Sequence, residues 1–228
     1  MITVFAGFDP REEVGYHTFC SSVIHHATSP VTIAPLHQRM LGKIWTSGDK
    51  DGSNSFIYTR FLVPYLMGYN GFALFVDGSD MICTGDIAQL WAMRDPFLAV
   101  QVVKHDYKTK HPRKYLGTRM ESANEDYPRK NWSSLMLMNC AHYDWRRITP
   151  ESVEKMTGPQ LHRLDFIADR FIGGLPVEWN WLADEYGENP DANLLHWTTG
   201  IPAFPKYSSA AHSDDWARAA VRINHATS

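Results

Sequence analysis

Phe72-Ala73-Leu74-Phe75-Val76 is continuously apolar and runs straight into Asp77-Gly78-Ser79-Asp80. A strand with no polar alternation needs cover on both faces, which helices on either side of a mainly parallel sheet provide. Carboxylates at its carboxyl end then lie where open α/β sheets bind their ligands. One short segment therefore constrains both the fold class and the place where chemistry is expected.

The flanking sequence fits that frame. Ile2 to Ala6 reads as a short strand. Asp9-Pro10 reads as a helix start, the carboxylate as N-cap and Pro at the first helical position, with Glu12 and Glu13 in the first turn. Val14, Phe19 (or Cys20), Val23 and Ala27 recur at near-helical spacing, so this helix is expected to cover a sheet. Pro30 to Ala34 predicts a second strand and Phe56 to Met67 a second long helix. This β-α-β-α-β order predicts an α/β domain with a largely parallel sheet. Later strands are expected at Phe97 to Val103 and Ser134 to Met138. Short helices are expected at Ile87 to Met93, Pro150 to Met156 and Leu161 to Phe171. Gly42 to Asn54, polar and glycine-containing, is expected to be a mobile loop that closes over a ligand. Lys104 to Lys130 is polar and rich in Lys, Arg and Tyr, and a loop of that length in a compact domain is often functional.

No Pro/Gly/Ser linker or repeat divides the 228 residues, so one domain is expected. A net charge of −3 argues against a dedicated nucleic-acid binder. No apolar run approaches the ~20 residues of a membrane span. Met1 leads directly into the first strand, so no signal peptide is expected. Cys20, Cys83 and Cys140 are far apart and odd in number. They make neither a disulfide framework nor a metal knuckle and read as reduced cysteines of a cytoplasmic protein.

Phosphate-loop, GxGxxG, HExxH and GxSxG patterns are absent. Two SxxK matches, Ser47 to Lys50 and Ser152 to Lys155, lack the companion motifs. The sequon Asn131-Trp132-Ser133 stays bare without a secretory signal. Lys104-His105 and His25-His26 have no ligand partners at a telling spacing and read as solvated faces.

Asp77 and Asp80, about one turn apart, suit a hard divalent cation bound through oxygen. Such a cation keeps positions for substrate phosphates and neutralises charge on a leaving diphosphate. Gly78 and Ser79 are small enough for a ligand to approach the backbone. The same residues also make an ordinary Asp-Gly turn, and alone they leave both readings open.

Ser55-Phe56-Ile57-Tyr58-Thr59-Arg60-Phe61-Leu62-Val63-Pro64-Tyr65-Leu66, followed by Leu74 to Met81, resembles the nucleotide-sugar-dependent glycosyltransferases of GT-A fold. The pattern looks most like the glycogenin and bacterial galactosyltransferase family, family 8, and its bacterial relatives. There a helix with a Tyr/Arg pair precedes a strand that ends in a DxD motif. An Asn/Trp-Ser strand, an LPxxWN segment and a His-containing motif follow. This chain offers Asn131-Trp132-Ser133-Ser134 leading to Asn139, then Leu175-Pro176-Val177-Glu178-Trp179-Asn180, then His196-Trp197-Thr198-Thr199-Gly200. The order is the family's and spans roughly residues 2 to 207. Two features depart from it. The acidic motif is Asp-X-X-Asp, a spacing that resembles some manganese-holding GT-A enzymes that glycosylate collagen. The stretch Leu164 to Ala168 carries Asp165 but lacks the family's adjacent Gln.

The resemblance implies a single Rossmann-like GT-A domain with a mixed, mostly parallel sheet. Its nucleotide-binding half would be about 1–103 and its acceptor half about 104–228. It further implies transfer of a sugar, with retention, from a UDP-sugar to an acceptor hydroxyl. Asp77, Asp80 and His196 would hold Mn²⁺, with Mg²⁺ as the alternative ion, while a core histidine remains the other reading of His196. Gly7, Phe8 and Asp9 would form the uracil edge, although Asp9 also serves as a helix cap. Arg60 would reach the diphosphate or pair with an Asp in the core. Gly78, Ser133, Ser134, Asn180 and Gly200 would approach the donor, and Lys206 would meet its phosphates or stay solvated. Asp165 and Asn139 are the candidates for orienting donor sugar and acceptor. Trp179 would stack on a sugar ring or pack in the core.

Two other classes compete. A sugar nucleotidyltransferase would carry a glycine- and lysine/arginine-rich loop after the first strand, which Gly7-Phe8-Asp9-Pro10-Arg11 matches poorly. A non-catalytic sugar-nucleotide or glycan-binding module differs from the enzyme only in activity. The acceptor class (glycan, lipid-linked or protein) is left open, as are a homodimer and a peripheral position at the inner membrane face.

Overall fold

The structure, a computed structural model, describes residues 1–45, 54 and 56–224. Its strands are β1 (Ile2–Gly7), β2 (Val31–Leu36), β3 (Phe72–Val76), β4 (Met81–Cys83), β5 (Val100–Val102), β6 (Arg113–Lys114), β7 (Ser122–Ala123), β8 (Leu135–Asn139), β9 (Ile172–Gly174), β10 (Trp181–Leu182) and β11 (Leu194–His196). Its α-helices are α1 (Glu13–His26), α2 (Val63–Leu66), α3 (Ile87–Ala92), α4 (Pro150–Lys155), α5 (Gly158–His162), α6 (Ala183–Tyr186) and α7 (Ser213–Asn224).

The main sheet has the order β2-β1-β3-β8-β5-β9. β1 pairs in parallel with β2 and β3, and β5 with β9. β8 is antiparallel to both β3 and β5. The sheet is thus mixed and mostly parallel, as expected, with β8 the one reversed strand. β3 shows why its sequence lacks alternation. Ala73 and Phe75 enter one core with Phe61, Met136 and Trp145, while Leu74 and Val76 enter the other with Phe19, Val23 and Leu137. Each fully buried Val, Leu, Phe or Met side chain among these contributes roughly 1.5–3 kcal/mol of transfer free energy. A small second sheet, β10-β11-β4, lies beyond the end of β3. No helix among the described residues is long and apolar enough to cross a membrane.

Several expected elements take a different form. Phe56 to Met67 is not one long helix but a 3₁₀ turn, Thr59–Leu62, leading into the short α2. Pro64 has no N–H to donate, so the α-helix starts beside it and the preceding residues tighten. Leu161 to Phe171 is likewise not a helix. α5 begins earlier, at a reciprocal Thr157–Gln160 cap, and ends at His162, because Leu164 turns to a positive φ of 57°. Only Val100–Val102 of the expected Phe97 to Val103 strand pairs, and Phe97 is exposed. Lys104 to Lys130 contains the β6–β7 hairpin. Of the expected lid, Gly42 to Asn54, residues 46–53 lie outside the described residues.

Asp9 caps a 3₁₀ turn, Pro10–Glu12, that feeds α1. α1 then lies directly on the acidic turn, since a Cβ built on Gly15 would fall 1.9 Å from the Ser79 carbonyl oxygen. Alanine is the better helix former by ~1 kcal/mol. A clash with backbone cannot be relieved by a rotamer change, and overpacking of this kind costs roughly 1–3 kcal/mol. Gly15→Ala should therefore lower the melting temperature by several degrees. An equal or higher value in a thermal melt would contradict this packing.

Candidate active site

The turn after β3 is built by close backbone contact. Gly78 adopts φ 65°, and a Cβ there would lie 2.8 Å from the Gly7 carbonyl oxygen. Ser79 Oγ donates to that same carbonyl at 3.1 Å and accepts from the Asp9 N–H at 3.3 Å. The turn reading and the ligand reading of Asp77-Gly78-Ser79-Asp80 thus coexist: a pinned turn presents two side chains.

The second sheet supplies the imidazole. His196 ends β11 opposite Met81 of β4, and the Trp197 N–H donates to the Asp80 carbonyl at 2.9 Å. Side-chain atoms of Asp77, Asp80 and His196 all come within 4.8 Å of one another, and all three residues are buried. His196 Nε2 is 3.4 Å from Asp80 Oδ2.

Hydrogen bonds set the histidine's tautomer. Asn180 Nδ2 donates to Ser134 Oγ at 2.8 Å, and that hydroxyl donates to the Asn131 carbonyl at 2.7 Å. Asn180 Oδ1 therefore faces His196 Nδ1, 2.9 Å away, and accepts its proton. Nε2 is left facing the carboxylates, where on losing its proton it would offer its lone pair to a metal ion. Asp80 Oδ1 is buried and accepts no hydrogen bond, and Asp77 Oδ1, also buried, faces the Arg60 guanidinium. Two carboxylates and one imidazole nitrogen, clustered and buried, fit a divalent metal ion.

Burial pushes the Asp77 carboxyl up to about 6; Arg60 opposes this and Asp80 reinforces it. Burial pulls His196 down, but the attraction of Asp80 and its hydrogen bond, with Asp77 and Asp184, outweighs it and the imidazole is raised. Arg60 is itself buried, with its guanidinium 5.4 and 5.0 Å from the Phe56 and Phe75 ring centres. Its Nη1 donates to the Ser133 carbonyl at 3.0 Å and lies 2.6 Å from Asp77 Oδ1.

These groups line a cavity of about 300 Å³ that brings together Arg60, Asp77, Asp80, Ser133, Ser134 and His196. Ser133 and Ser134 arrive there because β8 is antiparallel, so that its start abuts the end of β3 and the Asp77 N–H donates to the Ser134 carbonyl at 2.9 Å. The same reversal corrects Asn139. It pairs with Phe72 at the far end of β3, donates to the Pro96 carbonyl, and is a strand's length from the acids. Asp165 is exposed beyond the end of α5 and does not line the cavity; His162, three residues earlier, does. Trp179 is among the largest fully buried side chains and packs in the core, so it presents no face to a sugar. Asn180 stands behind His196 rather than in the cavity.

The remaining sequence candidates also lie outside the cavity lining. Gly7 permits close packing, since its Cβ would meet the Phe56 ring at 2.5 Å. Phe8 packs edge-on against Tyr16, 5.1 Å between centres. Asp9 is fully buried and takes two bonds from the Arg11 guanidinium, at 2.9 and 2.6 Å. Gly200 packs against Tyr207, and Lys206 is exposed beside Gly117. Sequence reading missed Lys114, Tyr115, Tyr127, His162 and Thr198, all of which line the cavity. The first three come from the long Lys104 to Lys130 segment, whose length was the available signal.

No family model matches the chain. It is 35% identical over 222 residues to Protein CDI of Arabidopsis thaliana, covering 93% of this chain and 83% of that protein. The chain belongs to the same family as Protein CDI. Among solved structures, the bifunctional glycosyltransferase WbbM superposes with TM-score 0.63 at 15% identity, over 96% of this chain and 49% of its own. The glycosyltransferase GlyE of Streptococcus pneumoniae gives TM-score 0.63 at 14% identity, over 96% and 60%. The galactosyltransferase LgtC, solved with donor and acceptor sugar analogues, gives 0.62 at 11%, over 97% and 96%. The chain thus spans about half of WbbM and three fifths of GlyE but nearly all of LgtC. The fold is the GT-A glycosyltransferase fold, in a single domain.

His162 offers a check on how closed this site is. Its Nδ1 is 2.8 Å from Ser133 Oγ, and burial, helped by Arg60 and Lys114, pushes the imidazole down to about 3. A depressed folded pKa gives stability that is fully present above the unfolded value of about 6.5 and is lost as pH falls toward 3. The wild type should therefore lose stability relative to His162→Gln between pH 6.5 and 4, by up to about 1.4 kcal/mol per pH unit. A difference in denaturant midpoints that stays constant over that range would place His162 in water.

Proposed function

We propose that this chain is a metal-dependent glycosyltransferase, moving a sugar from a UDP-sugar to an acceptor hydroxyl with retention of anomeric configuration. The observation that carries the reading is the buried cluster of Asp77, Asp80 and His196 ligand atoms, with Asp80 Oδ1 unpartnered, at the carboxyl end of β3 in a GT-A fold. A Mn²⁺ ion (Mg²⁺ being the alternative) held by these residues would stabilise the charge of the departing diphosphate.

The chain's own residues divide the work. Asn180 holds the His196 tautomer through Ser134. Arg60, fixed by Ser133 and Asp77, keeps a positive charge at the base of the cavity. Among the described residues, no carboxylate other than Asp77 and Asp80 lines the cavity, so none is spare to act as a nucleophile. That favours front-face attack. The acceptor oxygen bonds to the anomeric carbon as the bond to the phosphate oxygen breaks on the same face, and the acceptor's proton passes to the departing phosphate. The first half of the chain, about 1–103, supplies Arg60, Asp77 and Asp80; the second, about 104–228, supplies Ser133, His162 and His196. The LgtC likeness, with donor and acceptor analogues bound to that protein, supports a shared donor and acceptor pocket.

Calorimetry tests the reading. UDP should bind at least about tenfold more tightly with Mn²⁺ than with EDTA, a difference of ~1.4 kcal/mol. Asp80→Asn should abolish the difference. A panel of UDP-sugars with Mn²⁺ should reveal slow hydrolysis of one donor. Equal UDP affinity in Mn²⁺ and EDTA would overturn the metal assignment.

A further inference from the structure

We propose that Lys114 is the residue that grips the donor's diphosphate, in place of Lys206, to which the sequence pattern pointed. The inference rests on the nucleotide-sugar reading of the cavity and adds a residue to it.

Lys114 ends β6, whose hairpin partner is β7, with Lys114 opposite Ser122. The next two residues tie the hairpin to the segment that follows His196. The Tyr115 N–H donates to the Thr199 carbonyl at 2.6 Å, and the Leu116 N–H donates to the Tyr207 hydroxyl at 2.8 Å. The backbone that carries Lys114 is therefore fastened to the polypeptide that carries the proposed metal ligand.

The side chain lines the cavity alongside Asp80 and Arg60. Among the described residues its ammonium makes no hydrogen bond or ion pair with any protein group; it lies 5.6 Å from the Tyr115 ring centre and within the field of Asp80, Lys130, Asp77 and Glu12. Arg60, the other cavity cation, is committed to Asp77 and to the Ser133 carbonyl. Burial also lowers the Lys114 ammonium, with Asp80 opposing. A half-buried ammonium facing a cavity with nothing to bind is a poor structural feature and a good anion site.

Charge balance agrees. With a divalent ion present, Arg60 and Lys114 leave the cavity with two positive charges more than Asp77 and Asp80 cancel, matching a dianionic diphosphate diester. Without Lys114 the match fails by one. Lys206 takes no part in this balance, because it is exposed beside Gly117 and outside the cavity.

The test is calorimetry with Mn²⁺ alone, with UDP plus Mn²⁺, and with inorganic pyrophosphate plus Mn²⁺. Lys114→Met keeps the alkyl stem and removes the charge. It should weaken UDP and pyrophosphate binding roughly tenfold or more, while Mn²⁺ alone binds as well as, or better than, to the wild type because a repelling charge is gone. Lys114→Arg should recover most of the loss, and Lys206→Met should bind like the wild type. If Lys114→Met misfolds, Lys114→Gln serves in its place. Wild-type affinity in the Lys114 variants, or loss confined to Lys206→Met, would overturn the inference and leave the nucleotide-sugar reading standing. Failure of the wild type to bind either diphosphate with Mn²⁺ would overturn both.

Discussion

Two carboxylates buried side by side are the constraint around which this structure is arranged. At an effective dielectric of about 20, like charges within 4.8 Å of each other, as on Asp77 and Asp80, repel by roughly 3.5 kcal/mol or more. Arg60 offsets part of this, yet it is buried too, so its own desolvation has to be recovered from Asp77, Ser133 and two aromatic rings. One partner cannot be removed without stranding another. A cluster of this kind is an expensive way to hold a turn, since an Asp-Gly turn forms without burying either acid. The expense is explained if the cluster is completed by a cation, as the proposed function requires.

The rest of the local architecture keeps that cluster in register. Gly7, Gly15 and Gly78 let three backbone segments meet where any side chain would clash. Ser79 ties the turn to the end of β1. His196 reaches the acids from a separate small sheet, and its ring is oriented by a relay from Asn131 through Ser134 and Asn180. Ser133 and Ser134 are present because β8 runs against its neighbours. Under the proposed reading, the relay holds the ligating nitrogen unprotonated and aimed, which is the task of outer-shell partners at metal centres.

Local physics made much of this legible in the sequence. β3 matches its apolar run residue for residue, because burial on both faces leaves no other strand reading. The acidic pair was found because a carboxyl end of a buried strand is a defined place, and α3 and α4 fall within the short helices expected at Ile87 to Met93 and Pro150 to Met156, each beginning at a side-chain cap, Asp86 or Thr149. What failed depended on tertiary direction. Asn139 looked like a site residue because Leu135 to Asn139 reads the same in either direction, and only pairing shows that β8 is reversed. Asp165 was placed on a helix that Leu164 in fact ends. Trp179 carries no local mark that separates a stacking platform from a core side chain. Lys114 and Tyr127 come from a long segment whose regular structure is the β6–β7 hairpin of two-residue strands, where length hinted at function but no spacing could name residues.

The central claim is that Asp77, Asp80 and His196 together hold a divalent ion. Pulsed electron paramagnetic resonance of the protein loaded with Mn²⁺ tests it most directly, since a coordinated imidazole nitrogen modulates the manganese spin echo. The account predicts nitrogen modulation from one histidine in the wild type, lost in His196→Gln while the other histidines remain. Bound Mn²⁺ without nitrogen modulation, or modulation that survives His196→Gln, would contradict it.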